Sequence, residues 1–455
     1  MKILKNLLPI LAGAAFMAAC DNPLEVNPTA SIPFDESLDS REEIASGVNG
    51  MYDALQVDGA YARNLLVFPD LYTDNLRFSG TFSTDREVSS RAVRPTNGAI
   101  TGIWGAAYNG INRANNVLAA VDSVYEATDL EATQFKGEAL FIRALNYHNL
   151  VRFFGGVPVV TAPTWEISPE VNVPRSTPAQ VYSRIAADLQ QSITMLNQVR
   201  AAGITLRAGR ANVWAARALL ARVSLDMGQW AQARDLASQV ISNTGSDRFS
   251  LVDDYRNIWR VENNSESIFE VQFTISDANS LAFWFFPSEL GGRYGFNPAA
   301  VSFLGPNSPT NERRNGSVGI SEGAFYVNKF FRIETGDDNV PVIRLAEMYL
   351  IRAEANWRLG ADPATVRADI NVVRARSELA PLDATVATST QLRDAILAER
   401  RAEFAFEGHR LFDLRRILGD AETATRLQIE QFRLVFPVPQ RELDANPALT
   451  QTPGY

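Results

Sequence analysis

Apolar residues recur at the spacing of one helical face through most of this 455-residue chain, and that rhythm predicts a mainly α fold. Leu140, Ala144, Tyr147, Val151 and Phe154 share one face. Gly155-Gly156 then stop the helix, and Pro158 keeps it from restarting. A loop with Pro163, Pro169, Pro174 and Pro178 leads to the next stripe, Tyr182, Ile185, Leu189, Ile193 and Leu196. Ala216, Leu220, Val223 and Met227 mark another. Each stripe needs a neighbour to cover it, so the elements are expected to pair as hairpins.

Gly228-Gln229-Trp230 separates that last stripe from Ala233, Ala237 and Val240. The order G-x-W-x-x-A-x-x-x-A-x-x-V resembles the turn and second helix of a tetratricopeptide repeat. Glycine permits the turn, the aromatic wedges between helices, and alanines let them approach closely. Arg344–Arg376 holds a second pair, broken at Gly360-Ala361-Asp362-Pro363. Weaker pairs at 41–56 with 101–123, and at 135–153 with 179–197, bring the expected scaffold to about four hairpins with unequal insertions.

The first nineteen residues stand apart from this pattern. Lys2 and Lys5 precede an apolar run from Leu7 to Phe16, and Met17-Ala18-Ala19 place small residues before Cys20. The segment resembles a bacterial lipoprotein export signal, in which the thiol of Cys20 receives diacylglycerol. Residues 1–19 are then the signal, residues 20–34 an acylated tether with three prolines, and residues 35–455 one domain. Cys20 is the only cysteine, so no disulfide staples the fold. No later apolar run is long enough for a membrane span, which leaves the lipid as the expected anchor, outside the cytoplasm. The formal charge of −9 argues against nucleic acid or anionic polymers as ligands.

Two stretches break the helical rhythm. Residues 57–100 are mixed loop. Residues 268–340 open with an alternation of Phe269, Val271, Phe273 and Ile275 against Glu270, Gln272 and Thr274, which predicts a strand. They continue as a long loop that carries Phe283-Trp284-Phe285-Phe286, Arg293-Tyr294 and Phe296. A loop of that length with so many aromatics is expected to be ordered and functional.

Six blocks in order give the chain a family resemblance. Arg143-Ala144-Leu145-Asn146-Tyr147 precedes Phe153-Phe154-Gly155-Gly156-Val157-Pro158, and Pro174-Arg175-Ser176-Thr177 precedes Val181-Tyr182 and Asp188-Leu189. Arg344 to Ala355 reads RLAEMYLIRAEA, followed by Asn371, Arg374 and Arg376. Glu399-Arg400, Glu403-Phe404, Glu407-Gly408-His409-Arg410 and Asp413-Leu414-Arg415-Arg416 form the fifth block. The sixth runs from Phe436-Pro437-Val438-Pro439 to Pro453-Gly454-Tyr455. Together they resemble the SusD/RagB family of surface lipoproteins. The resemblance implies a single domain on four tetratricopeptide-like hairpins, overlaid by a loop-rich portion that carries the ligand site and short strands. It further implies a protein of the outer membrane that captures glycans, or in some members peptides. Such proteins deliver their ligand to a SusC-like TonB-dependent transporter without covalent chemistry. A tetratricopeptide-type envelope scaffold with no small ligand is the remaining alternative.

The side chains agree with binding rather than catalysis. Histidine occurs twice, as His148 and His409, and both read as packed residues. No nucleophile, metal or phosphate-loop spacing is present, so neither a cofactor nor a metal is expected. Glu399, Glu403, Glu407 and Asp413 are interleaved with Arg400, Arg401, Arg410, Arg415 and Arg416, a pattern expected to pair internally. Sugar rings lie flat on aromatic faces and their hydroxyls need planar polar partners. Residues 281–297 offer both, with Trp284, Tyr294 and Phe296 as platforms and Glu289, Arg293 and Asn297 beside them. The 61–82 loop adds Tyr61, Asp70, Tyr72, Asn75, Arg77, Phe78 and Phe82, and Trp104 is a further candidate.

Overall fold

The computed structural model describes residues 38–455 apart from 165–171, 207 and 297. Cys20, the tether and Asn297 lie outside the described residues. The chain opens with α1 (Arg41–Asp53), α2 (Asn64–Leu71), strand β1 (Arg77–Phe78) and α3 (Ser83–Ser89). The long helices α4 (Gly98–Val124), α5 (Leu130–Phe154) and α6 (Pro178–Ala201) follow, then the shorter α7 (Val213–Asp226) and α8 (Trp230–Ile241). An irregular region carries β2 (Ser267–Val271), α9 (Leu281–Phe285), β3 (Tyr294–Gly295), β4 (Val318–Ser321), β5 (Ala324–Val327) and β6 (Val340–Arg344). The chain then returns to helix with α10 (Leu345–Arg358), α11 (Pro363–Arg376), α12 (Ser389–Glu403) and α13 (Arg410–Leu418).

Four hairpins form the scaffold: α1 with α4, α5 with α6, α7 with α8, and α10 with α11. α8 packs against α10, so the third and fourth hairpins stack directly and the region between them loops outward. Local sequence sets the ends of these helices. Ser40 with Glu43, Thr177 with Gln180 and Thr388 with Gln391 are capping boxes that open α1, α6 and α12. α5 stops because Gly155 takes a φ of +73°, the left-handed region that disfavours side chains. Its neighbour Gly156 is needed for a different reason, since a Cβ there would sit 2.1 Å from the Ser176 carbonyl oxygen.

The strands form three antiparallel pairs, β1 with β3, β2 with β6 and β4 with β5. All five residues of β2 are buried, so the expected polar face is absent. Glu270 is enclosed there, accepting hydrogen bonds from the Asn263 backbone and the Asn339 amide. Ile275, assigned by alternation to the buried face, lies beyond the strand and is exposed.

The acids of the fifth sequence block do pair, but mostly with distant partners. Glu403 contacts Arg313, Arg344 and Arg376, while Glu407 meets Arg344 and Lys329. Glu399 takes Arg313 and Arg374. Of the interleaved arginines, Arg401 and Arg410 reach Asp74, and Arg415 reaches Asp420. Only Arg400 and Arg416 find a partner within the block, in Asp413. This network ties α12 and α13 to α10, α11 and the irregular region.

Candidate functional site

The two loops singled out in the sequence meet in space. β1 pairs with β3, placing Arg77 opposite Gly295 and Phe78 opposite Tyr294. The Ser79 amide extends the ladder by donating to the Arg293 carbonyl at 3.0 Å, and the Arg293 amide donates to Trp284 at 2.8 Å. The segment 281–285, expected as loop, is a helical turn. Leu281, Ala282 and Phe285 therefore face inward, whereas Phe283 and Trp284 share the outer side.

These contacts raise an aromatic crest. Phe82 is 52% exposed and Phe283 is 41% exposed, and Trp284 lies between their rings at 5.9 and 5.3 Å. The Trp284 indole is oriented by its Nε1, which donates to the Ser280 hydroxyl at 2.9 Å. Beside the crest lies a cleft of about 170 Å³ lined by Arg77, Phe286, Arg293, Phe325 and Tyr326. Such a volume is below that of a drug-sized pocket, so it suits one ring or end group of a longer ligand held across the crest. Tyr326 lies across Gly319 on the paired strand, where a Cβ would meet its ring at 2.2 Å.

Several expected platforms prove to be supports. Tyr294 is 2% exposed and its hydroxyl donates to the buried Asp85 carboxylate. Burial pushes the Tyr294 hydroxyl well above its usual range, so it remains a donor. Phe296 is 3% exposed and stacks on Phe406 at 5.6 Å. Both rings hold the crest from below and, although nearly buried, form part of the cleft wall. Asp70, Tyr72 and Asn75 are also enclosed. Asp70 accepts from the Asn75 amide and from the Phe406 and Gly408 backbone amides, and burial raises its carboxyl to about 6. The Tyr72 hydroxyl donates to the Arg433 carbonyl at 2.6 Å. Trp104 packs edge-on against Phe154 at 5.1 Å within the core. These four residues lock the 61–82 loop and α4 into the body. Of the sequence candidates, Phe82, Trp284, Glu289, Arg293 and Arg77 remain at the surface, and Phe78 is half-buried. Tyr326 had no signal as a cleft residue, because only the tertiary fold brings its ring to 5.4 Å from Phe286.

A larger groove of about 940 Å³ crosses the scaffold between Phe154, Tyr182, Trp230 and Arg415. Its arginines are largely consumed: Arg175 donates to the Phe154 and Gly156 carbonyls, Arg415 to Asp420, and Arg416 to Glu354 and Asp226. The crest keeps its polar groups open and is the better candidate.

Comparison with known families agrees with this architecture. The family described as "Starch-binding associating with outer membrane" matches residues 23–225, and "SusD family" matches residues 303–455. The chain belongs to the SusD/RagB family. SusD-like protein P25 of Formosa agariphila is 24% identical over 95% of both chains. Starch-binding protein SusD of Bacteroides thetaiotaomicron is 30% identical over 26% of this chain and 22% of its own. Among solved structures, a SusD superfamily protein of Bacteroides vulgatus gives a TM-score of 0.80 at 22% identity, covering 91% of this chain and 99% of that one. A laminarin-binding SusD-like protein gives a TM-score of 0.76 at 26% identity, covering 91% and 100%.

In this SusD-family chain the two histidines are packing residues. His148 is buried and its Nε2 lies 2.9 Å from Asp226, while Nδ1 has no partner. A neutral ring protonated on Nε2 satisfies that arrangement. Burial, aided by Arg152, lowers the His148 pKa to about 4, and burial lowers His409 well below its usual value. Because the folded value is below the unfolded one, the stability tied to His148 is complete above pH 6.5 and fades as pH falls towards 4. In a folded-state NMR titration His148 is expected to titrate near pH 4, and His409 well below its usual range. A midpoint near 6.5 for either would place it in water rather than in the core.

Proposed function

We propose that this protein captures glycans at the crest on the cell surface and passes them to a SusC-like TonB-dependent outer-membrane transporter. Moored through an acylated Cys20, it would hold the ligand without breaking a bond. The observation that carries this reading is the outward cluster of Phe82, Phe283 and Trp284 beside a largely aromatic cleft edged by Arg77 and Arg293. Apolar C–H faces of sugar rings fit such a cluster, while guanidinium and backbone groups serve the hydroxyls. The laminarin-binding relative of the same fold supports a glycan as ligand, and the family description supports the outer membrane as location.

A glycan array probed with the mature chain is the direct test. Trp284→Ala is expected to weaken binding of the best array ligand about tenfold, since it removes the central ring of the cluster. Undiminished affinity in that variant would move the site elsewhere. Capture of peptides with no glycan bound would replace the reading by its peptide-binding counterpart.

A further inference from the structure

The formal charge of the whole chain argues against anionic ligands, yet the crest departs from that average. Four arginines surround it. The Arg63 guanidinium lies 5.5 Å from the Trp284 ring. Arg77 and Arg293 line the cleft, with Arg77 itself exposed. Arg86, also exposed, reaches the Gly80 carbonyl at 3.5 Å, next to the Arg293 side chain. Elsewhere in the protein most arginines are matched to acids, as in the network around Glu403. Among the described residues none of these four has a carboxylate oxygen within 4.0 Å. Their hydrogen bonds go to neutral oxygens: Arg63 donates to the Asn64 side chain, and Arg293 to the Gly291 and Gly292 carbonyls.

The nearby acids bond to hydroxyl donors rather than to these guanidiniums. Asp85 is buried beneath the crest and accepts from Tyr294 and Thr84. Glu289 accepts from the Ser321 hydroxyl at 2.8 Å. Asp58 acts on Tyr294 from a distance and pairs with no arginine. A guanidinium fork presents parallel N–H groups that match the planar edge of a carboxylate or two oxygens of a sulfate. Aromatic faces alternating with such forks fit a chain of sugar rings that carries negative groups at intervals. A neutral glucan uses the rings but leaves the forks facing water.

Resting on the glycan-capture reading above, we infer that the crest selects an anionic oligosaccharide, one bearing sulfate esters or uronate carboxylates. Calorimetric titration of the mature chain should use three probes: an oligogalacturonate, a sulfated galactan oligosaccharide and a neutral laminari-oligosaccharide. At least one anionic probe is expected to bind about tenfold tighter than the neutral one, and to weaken steeply between about 0.05 and 0.5 M salt. The substitution Arg86→Gln, on an exposed side chain that does not line the cleft, is expected to reduce that preference while neutral binding persists. Whether the sulfated or the uronate probe responds identifies the source of the charge. Neutral binding equal to or tighter than anionic binding overturns the selection but leaves glycan capture standing. Binding of no saccharide overturns both, as does preference for an acidic peptide.

Discussion

Replacing Glu403 with glutamine is expected to lower the folding free energy by about 3–5 kcal/mol, the usual loss when one member of a buried ion cluster is removed. Glu403 is fully buried and faces Arg313 at 2.9 Å together with Arg344 and Arg376. Burial alone would raise its pKa, but Arg376, Arg344 and Arg313 hold the carboxyl well below the usual range. With the charge gone, three guanidiniums share only Glu266, Glu399 and Glu407. The sign with pH follows directly. A depressed carboxyl stabilises the fold above its unfolded pKa, and that contribution is lost as acid protonates the cluster. Urea unfolding midpoints are the measure. Asp394→Asn is the comparator, because its ion pair with Arg393 is 58% exposed on the acid side and should contribute less than about 1 kcal/mol. Equal midpoints for the two variants would show that the cluster does not anchor α12.

Gly292→Ala is expected to abolish ligand binding while leaving the hairpin scaffold folded. A Cβ at position 292 would sit 1.7 Å from the Phe286 carbonyl oxygen and 2.6 Å from its carbon, both backbone atoms that no rotamer change can move. The turn must open, and with it moves Arg293, which bonds Trp284 on one side and Ser79 on the other. Loss of those two bonds separates the halves of the crest. The expected result is undetectable glycan binding, fast hydrogen exchange at the Ser79 amide, and a nearly unchanged unfolding midpoint. Gly295→Ala is the control, since nothing lies within 4 Å of a Cβ there. If Gly292→Ala binds as the parent does, the crest is not the site.

The scaffold was legible because its signals are local. The stripe ending at Phe154, the glycines after it and the Gly228-Gln229-Trp230 turn each act within a few residues of where they stand. The crest was legible only in part. Aromatic density marked two segments that meet in space, but exposure within each depends on which chain crosses it. Tyr294 and Trp284 look equivalent in the sequence, and only the Asp85 carboxylate waiting 209 positions away makes the first a support. In the same way Glu403 was expected to use neighbouring arginines. Its real partners come from three other elements, which spacing along one helix does not encode.

The ladder between β1 and β3 has a consequence for biosynthesis. Ser79 and Arg293 are 214 positions apart, and the long helices α4, α5 and α6 are threaded between them. Closing so long a loop is slow and depends on the intervening helices having already folded. Until then the two halves of the crest lie apart, so the crest is completed late, after the scaffold that carries it.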